Sequence, residues 1–286
     1  MLGSVPTKRS CSLKTSQSKF LSTIAAAWAL LAAAGTAHAQ LVDTDGQLPD
    51  RPAAGQDIGI VGASVRFGER STGETGTRNH GVTLIPELGY YASSGWFAST
   101  TQGLGVNLSN SRDLQFGPRL TVDVGRRARY SDTLKGMGNI DPELEAGGFL
   151  NYSPLQNLWL TSSLRAGAGN DHNGVHIDLG ANYTLALAPQ WKLKLGGSTT
   201  VANQAYMQTY YGVNATQSAA TGYAAYKPRA GFTDVSANAT LSYAVTPRIT
   251  VSTELITRHL LGDAQDSPVT KKANVTTGQV GVNYAF

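Results

Sequence analysis

The feature that most constrains this chain is a period-two alternation of apolar and polar residues, sustained over segments long enough to cross a bilayer. In residues 114–125, Leu114, Phe116, Pro118, Leu120, Val122 and Val124 fall on one face; Gln115, Gly117, Arg119, Thr121, Asp123 and Gly125 fall on the other. Residues 175–187 repeat the design, with Val175, Ile177, Leu179, Ala181, Tyr183, Leu185 and Leu187 opposite His176, Asp178, Gly180, Asn182, Thr184 and Ala186. The run 140–152 sets Ile140, Leu144, Leu150 and Tyr152 against Asp141, Glu143, Glu145 and Asn151, and 82–91, 158–167, 191–201, 235–245 and 249–258 behave alike. Successive side chains of a strand point to opposite faces, so each segment reads as a strand with one apolar side. Globular strands average about five or six residues, whereas a tilted bilayer crossing needs roughly 9–11. The polar face is rich in Gly, Asn, Thr and Ser with scattered charges, which suits a hydrated lumen. Backbone N–H and C=O groups left unpaired in hydrocarbon are expensive, so such a sheet must close on itself. The expectation is an all-β fold, a closed antiparallel transmembrane β-barrel.

The connections agree. Ser153-Pro154-Leu155-Gln156, Ala188-Pro189-Gln190 and Thr246-Pro247-Arg248 read as tight turns, whereas 169–173, 203–230 and 260–277 read as polar loops. Short periplasmic turns and long external loops are the pattern of such barrels. Eleven strands are evident, and even numbers are the rule, so 96–108 is read as two short strands around Thr101-Gln102-Gly103. Twelve strands are expected, with ten the alternative. The final strand carries Val280, Val282, Tyr284 and Phe286 on one face and ends in an aromatic residue, which resembles the C-terminal signal read by the outer-membrane assembly machinery.

The N-terminus reads as an export signal over 1–39. Lys8, Arg9, Lys14 and Lys19 precede an apolar run from Phe20 to Ala34, which ends in Ala37-His38-Ala39 before Gln40. A basic head, a short apolar core and a small-residue exit make a cleavable secretory signal, and the run falls short of the roughly 20 residues of a spanning helix. The chain has 23 Lys+Arg and 19 Asp+Glu. Removing four bases and no acid leaves 19 of each, so the basic pI suggests no nucleic-acid partner. Cys11, the only cysteine, leaves with the signal, and it precedes the apolar run, where a lipoprotein's acylated cysteine would not sit. Residues 40–56, with Gly46, Pro49 and Pro52, read as a periplasmic leader outside the sheet, and 57–286 as the barrel. The expected location is the outer membrane of a Gram-negative cell, with outer-membrane lipid as the surroundings.

Inward charges are expected at Arg119, Asp123, Glu143, Glu145, Arg165, Lys192, Lys194, Glu254 and Arg258. Glu143 and Glu145 with Asp141 invite an acid–base reading, but lumen carboxylates more often pair with cations across the barrel. His172 and His176 with Asp171 and Asp178 form the one grouping with metal-ligand residue types, and no third or fourth ligand is placed to complete a zinc site. His80 and His259 are isolated. The glycines of 103–105 precede no helix and are not a phosphate loop. No catalytic, metal or cofactor residue is assigned. Trp96, Trp159, Trp191, Tyr90, Tyr130, Tyr152 and Tyr284 lie near expected strand ends and read as interfacial belts.

Five segments in order resemble the family of MltA-interacting and OmpV-like outer-membrane proteins. They are Gly103–Leu108; Phe116–Leu120 with Gly125-Arg126; Leu134–Ile140 with Glu143 and Glu145; Tyr210–Val213; and Leu260–Val269. Asn139 departs from the Asp more usual there. The resemblance implies a non-enzymatic scaffold that joins a lytic transglycosylase to a murein synthase. A porin-like passive channel for small solutes is the alternative, and a hydrolase using His172 or His176 is a third reading.

Overall fold

The computed structural model describes residues 46–68 and 82–286. Residues Ala37, Ala39 and Gln40 of the expected cleavage site, the first part of the leader and His80 lie outside the described residues. Twelve antiparallel strands form one closed barrel in which each strand pairs with its neighbours in sequence. They are β1 (Ile58–Gly68), β2 (Thr83–Tyr91), β3 (Trp96–Ser99), β4 (Gly103–Val106), β5 (Leu114–Asp123) and β6 (Glu143–Leu155), followed by β7 (Leu158–Ala168), β8 (Gly174–Ala188), β9 (Trp191–Ala202), β10 (Gly231–Ala244), β11 (Ile249–Leu260) and β12 (Asn274–Ala285). The last strand closes on the first, with Val61 opposite Tyr284, Ala63 opposite Val282 and Val65 opposite Val280. Val280, Val282, Tyr284 and Phe286 therefore stand exposed on the outer surface, in line with Val61 and Val65 of β1.

The alternation sorts the wall as the residues demand. On β5 the exposed side chains are Phe116, Pro118, Leu120 and Val122, while Gln115, Arg119 and Asp123 are buried inside. An outer surface of exposed Leu, Val, Ile and Tyr makes physical sense only against hydrocarbon. The protein is a transmembrane β-barrel.

The hairpin of β3 and β4 is short, and it reaches only Gly89–Tyr91 of β2 by strand pairing. Leu88 still accepts from the Thr100 amide at 2.8 Å. Pro86 lies two residues further along the same backbone edge, where a residue without an N–H loses no ladder bond.

Three expectations need correction. Trp159 is buried on the lumen side of β7, because its parity is that of Thr161 and Ser163; it belongs to no interfacial belt. Residues 128–130, Tyr130 among them, form a 3-10 turn within the loop after β5 rather than a strand end. Ile140 lies on no lipid face: it exchanges backbone bonds with Arg126, each 2.8 Å, and is buried in the core above the barrel. Gly125 makes that return possible. Its φ is +64°, and a Cβ there would lie 2.2 Å from the Ile140 carbonyl oxygen.

Candidate functional site: the filled lumen and the external cap

The register of β5 to β8 gathers inward charges into a buried network. Arg165 on β7 stands opposite Gly147 of β6 and His176 of β8, so Glu145 and Asp178 are its diagonal neighbours. Its Nη2 is 2.6 Å from Asp178 Oδ2 and its Nη1 is 3.5 Å from Glu145 Oε2. Thr121 Oγ1 donates to Glu145 at 3.0 Å, and Thr200 Oγ1 donates to Asp178 at 2.8 Å. Below them Arg119 donates to Gln102 Oε1 at 2.9 Å and to Ser163 Oγ, with its guanidinium carbon 5.8 Å from the Phe149 ring centre. One cation between two carboxylates, each of which also accepts from a hydroxyl, is how buried charges are tolerated.

The other expected charges are placed differently. Asp123 is buried at the upper rim, where it accepts from the Gly125 and Gly169 amides at 3.0 and 3.3 Å. Glu143 lies 3.3 Å from His172 Nδ1. Arg258 is 3.6 Å from Asp234, and Glu254 accepts from Asn238 and Thr240 at 3.4 and 3.3 Å. Lys192 is exposed and Lys194 half-buried, on β9 in a more open part of the wall. His172 and His176 have different partners: His172 lies beside Glu143, and His176 packs tilted against Tyr206, with ring centres 4.8 Å apart. Among the described residues no three His, Cys, Asp or Glu side chains gather as a metal site needs. The Arg165–Asp178 pair was not anticipated from sequence, because diagonal neighbours exist only once register is known.

The long loops fold together over one end of the barrel. Within 203–230 lie two helices, α1 (Gln204–Tyr211) and α2 (Ala215–Thr221). Asn203 caps α1 by accepting from the Tyr206 amide, and Asn214 with Gln217 makes a reciprocal capping box on α2. Met207, Tyr210 and Tyr211 of α1 pack with Ile140, Leu260 and Ala264. Leu134, Met137, Val213 and Val269 form a second apolar cluster. Tyr210 donates its hydroxyl to Asp123. Burial pushes the phenols of Tyr206 and Tyr210 well above their ordinary value, so both stay protonated. Three motifs far apart in sequence, 134–140, 210–213 and 260–269, thus meet in one cap.

The opposite end is occupied by residues 46–56. This segment carries no strand. The Leu48 amide donates to Gln115 Oε1 at 3.0 Å while Gln115 Nε2 donates to the Leu48 carbonyl at 2.9 Å, a two-way grip by an inward side chain of β5. Asn151 donates to the Gly46 carbonyl at 2.9 Å. The Leu48 side chain is buried against Tyr91, Phe97 and Phe149. Arg51 then ties the chain to the rim, donating to the Ser93 and Ser109 carbonyls at 2.9 and 3.0 Å.

Among solved structures, the chain resembles the KdgM porin at 10% identity with a TM-score of 0.45, over 79% of this chain and 99% of that one. It also resembles the outer membrane channel DcaP of Acinetobacter baumannii at 7% identity with a TM-score of 0.40, over 81% and 96%. No curated protein matches by sequence. The family described as MltA-interacting protein MipA matches residues 61–286, which covers all of the barrel but the first three residues of β1, together with the cap. This chain belongs to the MltA-interacting protein MipA family.

Proposed function

We propose that this protein is a non-enzymatic scaffold that holds a lytic transglycosylase, and with it a murein synthase, at the inner rim of the outer membrane. The family description, which speaks of interaction with MltA, supports a murein-enzyme partner. The observation that carries the reading is the narrowed lumen: the Leu48 segment enters it from the short-turn rim against β2, β3, β5 and β6, the Arg165 network lines its wall, and the cap lies over the far mouth. A barrel built this way offers its rims more readily than a wide bore. In the same proposal the signal is cleaved after Ala39, residues 40–56 begin in the periplasm, and Val280, Val282, Tyr284 and Phe286 are what the assembly machinery reads. Detergent-solubilised barrel should retain a purified soluble lytic transglycosylase on a column; equal retention by an unrelated barrel of the same size would remove this reading.

A second reading, a passive channel for small solutes, is favoured by the exposed Lys192 and half-buried Lys194 and Glu254 along β9 and β11. Planar-bilayer recordings separate the two, since a channel gives discrete steps from pure folded protein and a scaffold gives none.

A further inference from the structure

We propose that the external cap holds a binding site for a small sugar bearing one acidic group, with Arg126 at its floor as the partner of that group. A cavity of about 770 Å³ opens between the loop after β5, the turn 169–173 and the two helices of 203–230. Small-molecule sites run to roughly 300–1,000 Å³ and are largely apolar, with a few placed polar groups. The floor here is Met137, Ile140 and Val213, all buried, and Arg126 lines it beside them.

Arg126 is the observation that points to a ligand. It is 1% exposed, so its charge is out of water. Nη1 donates to the Tyr210 carbonyl at 2.6 Å, and Nε is buried with no hydrogen-bond partner. Among the described residues no carboxylate pairs with it. Tyr210 is near the end of α1, so its carbonyl, at the negative end of that helix, offsets part of the charge. The remainder is an unpaired buried cation, which proteins seldom keep because desolvation is so costly. Burial pushes its pKa down to about 10, so it is still charged near neutral pH. A guanidinium fork matches a carboxylate or phosphate in two parallel hydrogen bonds. Lys227 on the exposed rim adds a second cation against the single carboxylate of Asp171.

The walls argue for a ring with hydroxyls. The face of α1 turned away from the core presents Gln204, Gln208 and Thr209 to the cavity. Carboxamides and hydroxyls both donate and accept, as sugar hydroxyls do. Tyr226 supplies an aromatic surface beside them for the apolar face of a pyranose ring. An apolar floor, donor–acceptor walls and one buried cation together describe an acidic monosaccharide or the end of a chain of them.

Isothermal titration of the mature barrel in detergent micelles tests this with D-glucuronate, glucose 6-phosphate, D-glucose and acetate as probes. At least one acidic sugar should bind ten-fold or more tighter than glucose and acetate, and the better of the two names the acidic group. Arg126→Gln should weaken that sugar at least ten-fold. Gln208→Ala and Lys227→Gln, both outside the packed core, should weaken it several-fold without moving the melting temperature. Failure of both acidic sugars to bind, equal binding of glucose, or unchanged affinity in Gln208→Ala and Lys227→Gln together would overturn the proposal. Arg126 would then be only an anchor for the end of α1, and Arg126→Gln would change the stability of the cap alone.

Discussion

Asp57 stands one residue before β1 and fastens the start of the wall to the next turn. Its carboxylate accepts from the Ser93 amide at 2.8 Å, from Tyr90 Oη at 2.5 Å and from Ser93 Oγ at 3.0 Å. The Ser93 amide, then the Tyr90 hydroxyl, hold its pKa below the usual carboxylate value. A folded pKa lower than the unfolded one means that this stabilisation is present above the unfolded value and fades as pH falls through the folded one, below about 4. Asp57→Asn should therefore melt below wild type at pH 6, and the gap should narrow as the pH is taken from 5 to 2; parallel melting curves across that range would refute the assignment. Arg165 is a different kind of residue. Arg165→Met leaves buried Glu145 and half-buried Asp178 without their cation, and should cost up to roughly 3–5 kcal/mol in urea unfolding from phospholipid vesicles. Adding Glu145→Gln and Asp178→Asn should recover much of that loss. The inward-facing side of Arg165 was legible from the alternation, but its partners were not, because they lie on other strands at a diagonal.

Among the elements, the long strands were legible and the short helices were not. A strand of ten or more residues repeats its two-residue period often enough to be read without ambiguity. The hairpin of β3 and β4 was legible as well, since Thr101-Gln102-Gly103 breaks an apolar run and an even strand count demanded it. Helices of eight and seven residues, α1 and α2, complete barely two turns each, so no 3.6-residue pattern develops. Their start signals were present as Asn203 and Asn214, which read equally well as loop asparagines. Asn203 accepts from the Tyr206 amide at 2.9 Å and the Val175 amide at 3.1 Å, and so fixes α1 onto β8. Asn203→Ala should cost about 1–2 kcal/mol of local stability. Hydrogen exchange at Tyr206–Tyr210 should accelerate accordingly, while β8 and β9 amides remain protected; uniform acceleration across the barrel would argue against a local cap.

For the whole molecule, the consequence is that different parts of the chain lie across the two ends of one barrel. The short-turn end is partly occupied by a covalently attached segment that Gln115 and Asn151 hold and that Arg51 ties to the rim. The other end is covered by loops that share an apolar core of their own. Deleting residues 46–53 removes the first of these without touching a strand. The shortened barrel should pass ions in discrete steps where the full protein passes none, and unchanged recordings would mean that the segment does not limit the bore. Leu48 is the instructive residue here. In a Pro- and Gly-containing leader it reads as one apolar residue in a polar tail, and only the burial against Tyr91, Phe97 and Phe149 reveals its place.

The sequence by itself determined that the chain is a membrane barrel, favoured twelve strands over ten, and sorted the side chains of the long strands into an apolar and a polar face. Those follow from a local period of two and from the intolerance of hydrocarbon for unpaired backbone, and both act on every residue wherever the rest of the chain lies. Only the tertiary structure decided which inward charges meet, that 203–230 folds into a cap rather than a loop, and that Arg126 is buried, with no carboxylate among the described residues paired to it, beside a cavity. Each of these joins residues tens of positions apart, and their contact depends on register and loop packing that no local pattern encodes.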